Sequence, residues 1–135
     1  MARLRTRART RGLATVEAAL LFPLLLLITF GVIEYGWMFF KLQQINNAAR
    51  QGARVAATYN STNPQVQATV QNLMSAANLG TYTLAIVPSN TAQPKGTQMR
   101  VTVTVAKAQL VLTGFPLPYP ASLKGETVMV KEAPG

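Results

Sequence analysis

The sequence predicts an α+β protein: one long N-terminal transmembrane helix that extends into an aqueous amphipathic helix, and a small head of one further helix and an antiparallel sheet of about three strands. Three observations predict it. Leu13 to Phe40 is a 28-residue apolar stretch whose only charged residues are Glu17 and Glu34. Beyond Lys41 the pattern becomes amphipathic with no turn signal in between. After Gly80 the hydrophobic period changes from helical to alternating.

The apolar stretch comes first. Its uncharged centre, Ala18 to Ile33 (AALLFPLLLLITFGVI), is 16 residues long. A membrane-spanning helix needs ~20 mostly apolar residues to cross ~30 Å of hydrocarbon, and 28 helical residues extend roughly 42 Å. A buried core helix is the alternative. The 95 residues that follow Phe40 hold too little apolar surface to wrap a helix greasy on all sides. The run is long for a secretory signal, carries Glu17 near its start and has no convincing A-x-A site between it and the polar helix that follows.

Charge gives the orientation. Of 13 Lys and Arg, five (Arg3, Arg5, Arg7, Arg9, Arg11) fall in the first eleven residues, which contain no acid. Only Lys41 follows the stretch closely, so the N-terminus is expected in the cytoplasm and the C-terminal portion outside. Removing that leader divides the net +9 into +5 and a milder +4 (8 cations against 4 acids). The leader has no interleaved aromatics and no folded module to present it, so topology explains it better than nucleic-acid binding.

Leu42, Ile45, Ala49, Ala53 and Ala56 recur at spacings of three and four between Gln43, Asn47, Arg50 and Arg54. The helix is thus expected to continue to about Tyr59 and to end at Asn60-Ser61-Thr62-Asn63-Pro64. Asn63 before Pro64 reads as the N-cap of a second helix, with Val66, Val70, Leu73 and Ala77 on one face and a stop at Gly80. Tyr82, Leu84 and Ile86 mark a short strand, and Met99, Val101, Val103 and Val105 a clearer one. After a proline-rich connection (114–120), Thr127 to Lys131 gives the third. Expected segments are a basic leader (1–12), a transmembrane helix (13–40), an amphipathic extension (41–59) and an extracytoplasmic head (60–135).

The inventory excludes most chemistry. There is no Cys, His or Asp, and the acids are Glu17, Glu34, Glu126 and Glu132. No cofactor or metal is expected, and no enzyme. Ser122 and Lys124 are close in sequence but lack the motif of a serine–lysine dyad.

Several residues break the apolar pattern. Glu17 sits at the edge of the hydrocarbon, where an unpaired carboxylate costs a few kcal/mol. Were the chain cut after Gly12, the amine of Leu13 would lie within a helical turn of Glu17; headgroup solvation is the plain alternative. Pro23 cannot donate to the carbonyl of Ala19, so a kink or local loosening is expected. Gly31 and Gly36 leave room for helix–helix contact, or are ordinary membrane-helix glycines, since their spacing is five rather than four. Glu34 with Tyr35 and Trp37 reads first as a solvated acid in an aromatic belt, and alternatively as a partner for Arg50 or Arg54 of a neighbouring subunit. Arg50 and Arg54 share one face, open to solvent, lipid phosphate or a partner acid.

The basic leader, Gly12, Leu13-Ala14-Thr15-Val16-Glu17 and the apolar helix together resemble a type IV prepilin-like signal. More narrowly, residues 12–57 resemble the TadE-like family, the pseudopilins or minor pilins of the tight-adherence (Flp) pilus. The motifs carrying this are Val16-Glu17-Ala18, Phe22-Pro23-Leu24, Gly31-Val32-Ile33-Glu34-Tyr35-Gly36 and Asn47-Ala48-Ala49-Arg50-Gln51-Gly52-Ala53-Arg54. The resemblance implies a pilin-like fold and cleavage by a prepilin peptidase between Gly12 and Leu13. It also implies a Glu17 that compensates the new amine as subunits pack helix against helix. Its implied partners are the lipid bilayer, the prepilin peptidase, other pilin or pseudopilin subunits and a pilus assembly platform, with no nucleic acid. The implied location is the bacterial cytoplasmic membrane, single-pass, with incorporation into an extracellular pilus as a further step. An unprocessed single-pass envelope protein whose head binds a periplasmic or extracellular partner is the alternative.

Overall fold

A computed structural model of the chain describes residues 6–114 and 116–133, with side chains from residue 12 onward. The described chain begins with a single helix of 52 residues, α1 (Thr6–Ala57), roughly 78 Å long. It starts inside the stretch expected as the leader; Arg3 and Arg5 of that leader lie outside the described residues. α1 continues through Pro23, so the expected loosening does not interrupt the helix. The break that follows it is brief, and α2 (Asn63–Ala76) packs back against it.

Both ends of α2 differ slightly from the sequence expectation. Thr62, not Asn63, is the N-cap: its backbone is extended, and its N–H donates to Gln65 Oε1 at 3.0 Å, one half of a capping box. The Asn63 side chain is used elsewhere, donating to the Ser89 carbonyl and accepting from the Thr91 N–H at 3.2 Å. At the other end Asn78, not Gly80, takes the left-handed turn (φ 58 belongs to Asn60, φ 55 to Asn78). The Leu79 N–H then reaches the Met74 carbonyl at 2.9 Å and the Asn78 N–H the Ser75 carbonyl at 3.0 Å, a Schellman motif with Leu79 and Met74 buried together.

β1 (Thr83–Val87), β2 (Gln98–Ala106) and β3 (Ser122–Val130) form an antiparallel sheet in the order β1-β2-β3. The third strand starts five residues before the expected Thr127, because pairing with β2 continues as far as Ala106 opposite Ser122. Gly125 hides that extension in the sequence. It leaves no side chain in the alternating pattern, and it is needed there because a Cβ would stand 2.9 Å from the Ile45 carbonyl oxygen of α1.

The core lies between the aqueous half of α1, α2 and the inner face of the sheet. Ile45, Ala49, Ala53 and Ala56, expected on one helical face, are buried, as are Met99, Val101, Val103 and Val105 of β2. Small residues on α1 set the spacing: a Cβ on Gly52 would stand 2.7 Å from Val70 Cγ2 of α2 and 3.2 Å from Val101 Cγ1 of β2. Buried lysines close the two ends. Lys131 donates to the Ala56 carbonyl (3.0 Å), the Thr58 carbonyl (2.7 Å) and Ser61 Oγ (2.8 Å), so its charge sits on the negative end of α1. Lys41 does the same for α2, donating to the Ala77 carbonyl at 2.5 Å with its ammonium 4.7 Å from the Trp37 ring centre.

Candidate functional site: the apolar helix and its carboxylates

Among the described residues, α1 is exposed from Gly12 through Phe30. Leu13 and Leu20 are each 73% exposed, and Leu21, Phe22, Leu24, Leu25, Ile28 and Val32 are also open. An apolar surface of this extent needs lipid or another protein against it. The helix is long and apolar enough to cross a membrane, which fits a single-pass membrane protein. Gly12 and Leu13 are exposed and helical. Glu17 lies on the same uncovered surface, and among the described residues no cation lies within ion-pair distance of it. Gly31 and Gly36 have open space where a Cβ would be, so a neighbour can approach closely.

The second carboxylate corrects the sequence expectation. Glu34 is not a solvated belt acid; it is fully buried. Its Oε1 accepts from the Leu112 N–H at 2.7 Å, and its Oε2 accepts from the Thr113 N–H at 3.1 Å and the Thr113 hydroxyl at 2.7 Å. The Tyr119 side chain also bonds it. These donors all come from the loop between β2 and β3, residues 107–121. The loop is closed at its base, where the Lys107 N–H donates to the Ala121 carbonyl at 3.0 Å. Tyr35 joins the contact: its hydroxyl donates to the Pro118 carbonyl at 2.9 Å, its ring lies 6.5 Å from that of Tyr119, and Lys107 Nζ stands 5.0 Å from the Tyr119 ring centre.

Sequence reasoning missed these loop partners. One signal was available, since an acid inside an apolar stretch must find donors, but nothing local says which segment supplies them.

Residues 12–54 match the family model of TadE-like protein. This is the segment that holds Gly12, Glu17, Pro23, Glu34, Arg50 and Arg54. The searches of curated proteins and of solved structures found no match. In the TadE-like segment Arg50 and Arg54 are exposed on one face, with Gln43 and Asn47.

Lys124 and Arg100 bracket Glu126 at 2.5 and 2.6 Å, so Lys124 is engaged in an ion pair on the outer face of the sheet. The hydrogen bond from Lys124, then the charges of Lys124 and Arg100, hold the Glu126 carboxyl below its ordinary value against an opposing effect of burial. Burial pushes the Lys131 ammonium down, with Glu132 acting in the opposite direction. Two open concavities, of about 400 and 380 Å³, are lined by Gln67, Gln71 and Tyr82 and by Tyr59, Gln93 and Lys131. Neither includes a residue of the apolar helix.

Proposed function

We propose that this chain is a membrane-anchored, pilin-like structural subunit, cleaved after Gly12, that takes part in assembly of a tight-adherence (Flp-type) pilus. The observation that carries the reading is the exposed Glu17 on an otherwise apolar, uncovered helix within the TadE-like segment. That family is one of pilus-associated proteins, which supports interaction with pilus components in general.

The chemistry is that of assembly. The Gly12–Leu13 peptide lies within α1, so a peptidase must first unwind it, and glycine lowers that cost by about 1 kcal/mol relative to alanine. The new amine of Leu13 then stands four residues before Glu17, about 6 Å along the helix and on the same face. Pairing with the amine of the same or a neighbouring subunit removes the penalty of a lone carboxylate in hydrocarbon, about 2.5–3.5 kcal/mol on insertion scales. Gly31 and Gly36 let the helices of adjacent subunits close on one another. The basic leader holds the N-terminus in the cytoplasm and leaves the head outside. Prepilin peptidase, other pilin or pseudopilin subunits and an assembly platform are the partners this requires.

Intact-mass measurement and N-terminal sequencing of the protein from native membranes test the reading. Chains beginning at Leu13 are expected. Chains still beginning at Met1 or Ala2 would overturn it in favour of an unprocessed single-pass protein.

A further inference from the structure

We propose that the described residues of the β2–β3 loop, 107–114 and 116–121, are a second membrane contact: they lie in the headgroup layer as a collar around the point where α1 leaves the hydrocarbon. The inference rests on α1 spanning the bilayer and adds a lipid-binding surface to the head.

Length places the loop at that depth. From Leu13 to Glu34 α1 rises about 32 Å, the thickness of the hydrocarbon layer. Glu34 and Tyr35 are also where the loop is fastened, through Leu112, Thr113 and Pro118. The seven residues from Glu34 to Phe40 rise about 10 Å further, through a belt containing Tyr35, Trp37, Phe39 and Phe40. The loop is therefore beside the helix at the level where the acyl region gives way to headgroups.

Composition suits that layer. Residues 107–121 contain one cation, Lys107, and no acid, which matches anionic lipid. Leu112 is 49% exposed, and Pro116, Pro118 and Pro120 are exposed as well. Backbone donors are the usual obstacle to placing a loop near hydrocarbon. Here Pro116, Pro118 and Pro120 have none, the Leu112 and Thr113 N–H groups are taken by Glu34, and the Lys107 and Leu110 N–H groups are bonded within the loop. The other backbone donors of the loop can bond water and lipid phosphate, which the headgroup layer supplies and the hydrocarbon does not. The collar also puts apolar side chains beside Glu34, the one acid at this depth, whose acceptors the loop already fills.

The chain has no cysteine, so single substitutions carry a spin label uniquely. Full-length Leu112→Cys and Pro116→Cys, labelled and reconstituted in vesicles of phosphatidylethanolamine and phosphatidylglycerol, are compared with Leu26→Cys in mid-helix and Lys95→Cys in the head. Collision with oxygen and with a water-soluble nickel chelate is the readout. The collar predicts that labels at 112 and 116 favour oxygen over the chelate severalfold relative to Lys95→Cys and less strongly than Leu26→Cys. Free access of the chelate at both sites would overturn it, because the loop would be in water. Low access of both reagents would also overturn it, because another protein surface would cover the loop. If Leu26→Cys is itself open to the chelate, it is the membrane-spanning reading that fails. The second loop site keeps the test valid should one substitution disturb the Glu34 contact.

Discussion

Replacing Glu34 by Gln changes one oxygen for an NH₂ group and leaves the size of the side chain almost unaltered. In the native contact the two carboxylate oxygens accept from the Leu112 N–H at 2.7 Å, the Thr113 N–H at 3.1 Å and the Thr113 hydroxyl at 2.7 Å. A glutamine offers one acceptor oxygen. The Thr113 hydroxyl can rotate and accept from the new amide, but a backbone N–H cannot, so the Thr113 N–H exchanges its 3.1 Å bond for the long 3.4 Å contact to the oxygen that Leu112 also uses. A hydrogen bond to a charged group contributes about 1.5–3 kcal/mol, and the surviving bonds weaken to the neutral scale, giving a loss of about 2–4 kcal/mol. At about 1.4 kcal/mol per tenfold, the loop should open roughly 30-fold to 1,000-fold more often. Amide hydrogen exchange of the full chain in detergent micelles reads this directly, at the Leu112 and Thr113 amides. Val101 and Val103, in the middle of the sheet, should be little affected. Exchange at Leu112 and Thr113 within about threefold of the native rate would refute the reasoning, since even the weakest of these bonds should produce more.

The remaining expectations concern packing, pH and assembly. Gly125→Ala would place a Cβ 2.9 Å from both Cγ2 and the carbonyl oxygen of Ile45 and 3.0 Å from Asn46 Oδ1, so thermal unfolding in detergent should show a loss of about 1–3 kcal/mol; an unchanged midpoint would mean that α1 and β3 are not in close contact. Because the folded state holds Glu126 below its ordinary value of 4.5, its contribution is complete above that value and is lost as pH falls through and below it. Native protein and Glu126→Gln should thus differ in melting temperature at neutral pH and converge in acid; a constant difference down the acid range would contradict the ion-pair account. Glu17→Val should insert into membranes normally yet reduce incorporation into filaments, and assembly at the native level, scored by immunoblot of sheared pili, would remove the pairing role.

What the sequence disclosed follows the range of each interaction. Ile45, Ala49, Ala53 and Ala56, and the alternating valines of β2, announce their burial because helical and strand periods are local, and the structure buries all of them. Asn78 displaced Gly80 as the α2 terminator by two residues, since Asn also tolerates the left-handed region and Leu79 was available to cover Met74. The start of β3 was invisible because Gly125 is dictated by a helix 80 residues away in the chain (Ile45 to Gly125). The same limit applies to the site. Glu17 could be recognised as an anomaly from its apolar neighbours. The partners of Glu34 lie 78, 79 and 85 residues away, and those of Lys131 between 70 and 75, distances over which no pattern in the chain reports pairing. A lysine near the end of a strand looks like any solvated lysine until the helix terminus beneath it is known.

The continuity of α1 has a mechanical consequence. The same rod supplies the apolar anchor and, through Ile45, Ala49, Gly52, Ala53 and Ala56, one wall of the core of the head. No swivel separates Phe40 from Lys41, so the head is geared to the anchor, not tethered to it. One residue inserted at that junction would turn the head by about 100° and raise it by about 1.5 Å, pulling its loop from Glu34 and Tyr35, whereas seven residues, close to two full turns, would restore its bearing but lift it about 10 Å clear of that contact. The azimuth that the head presents to its surroundings is thereby set by how the buried end of the rod packs.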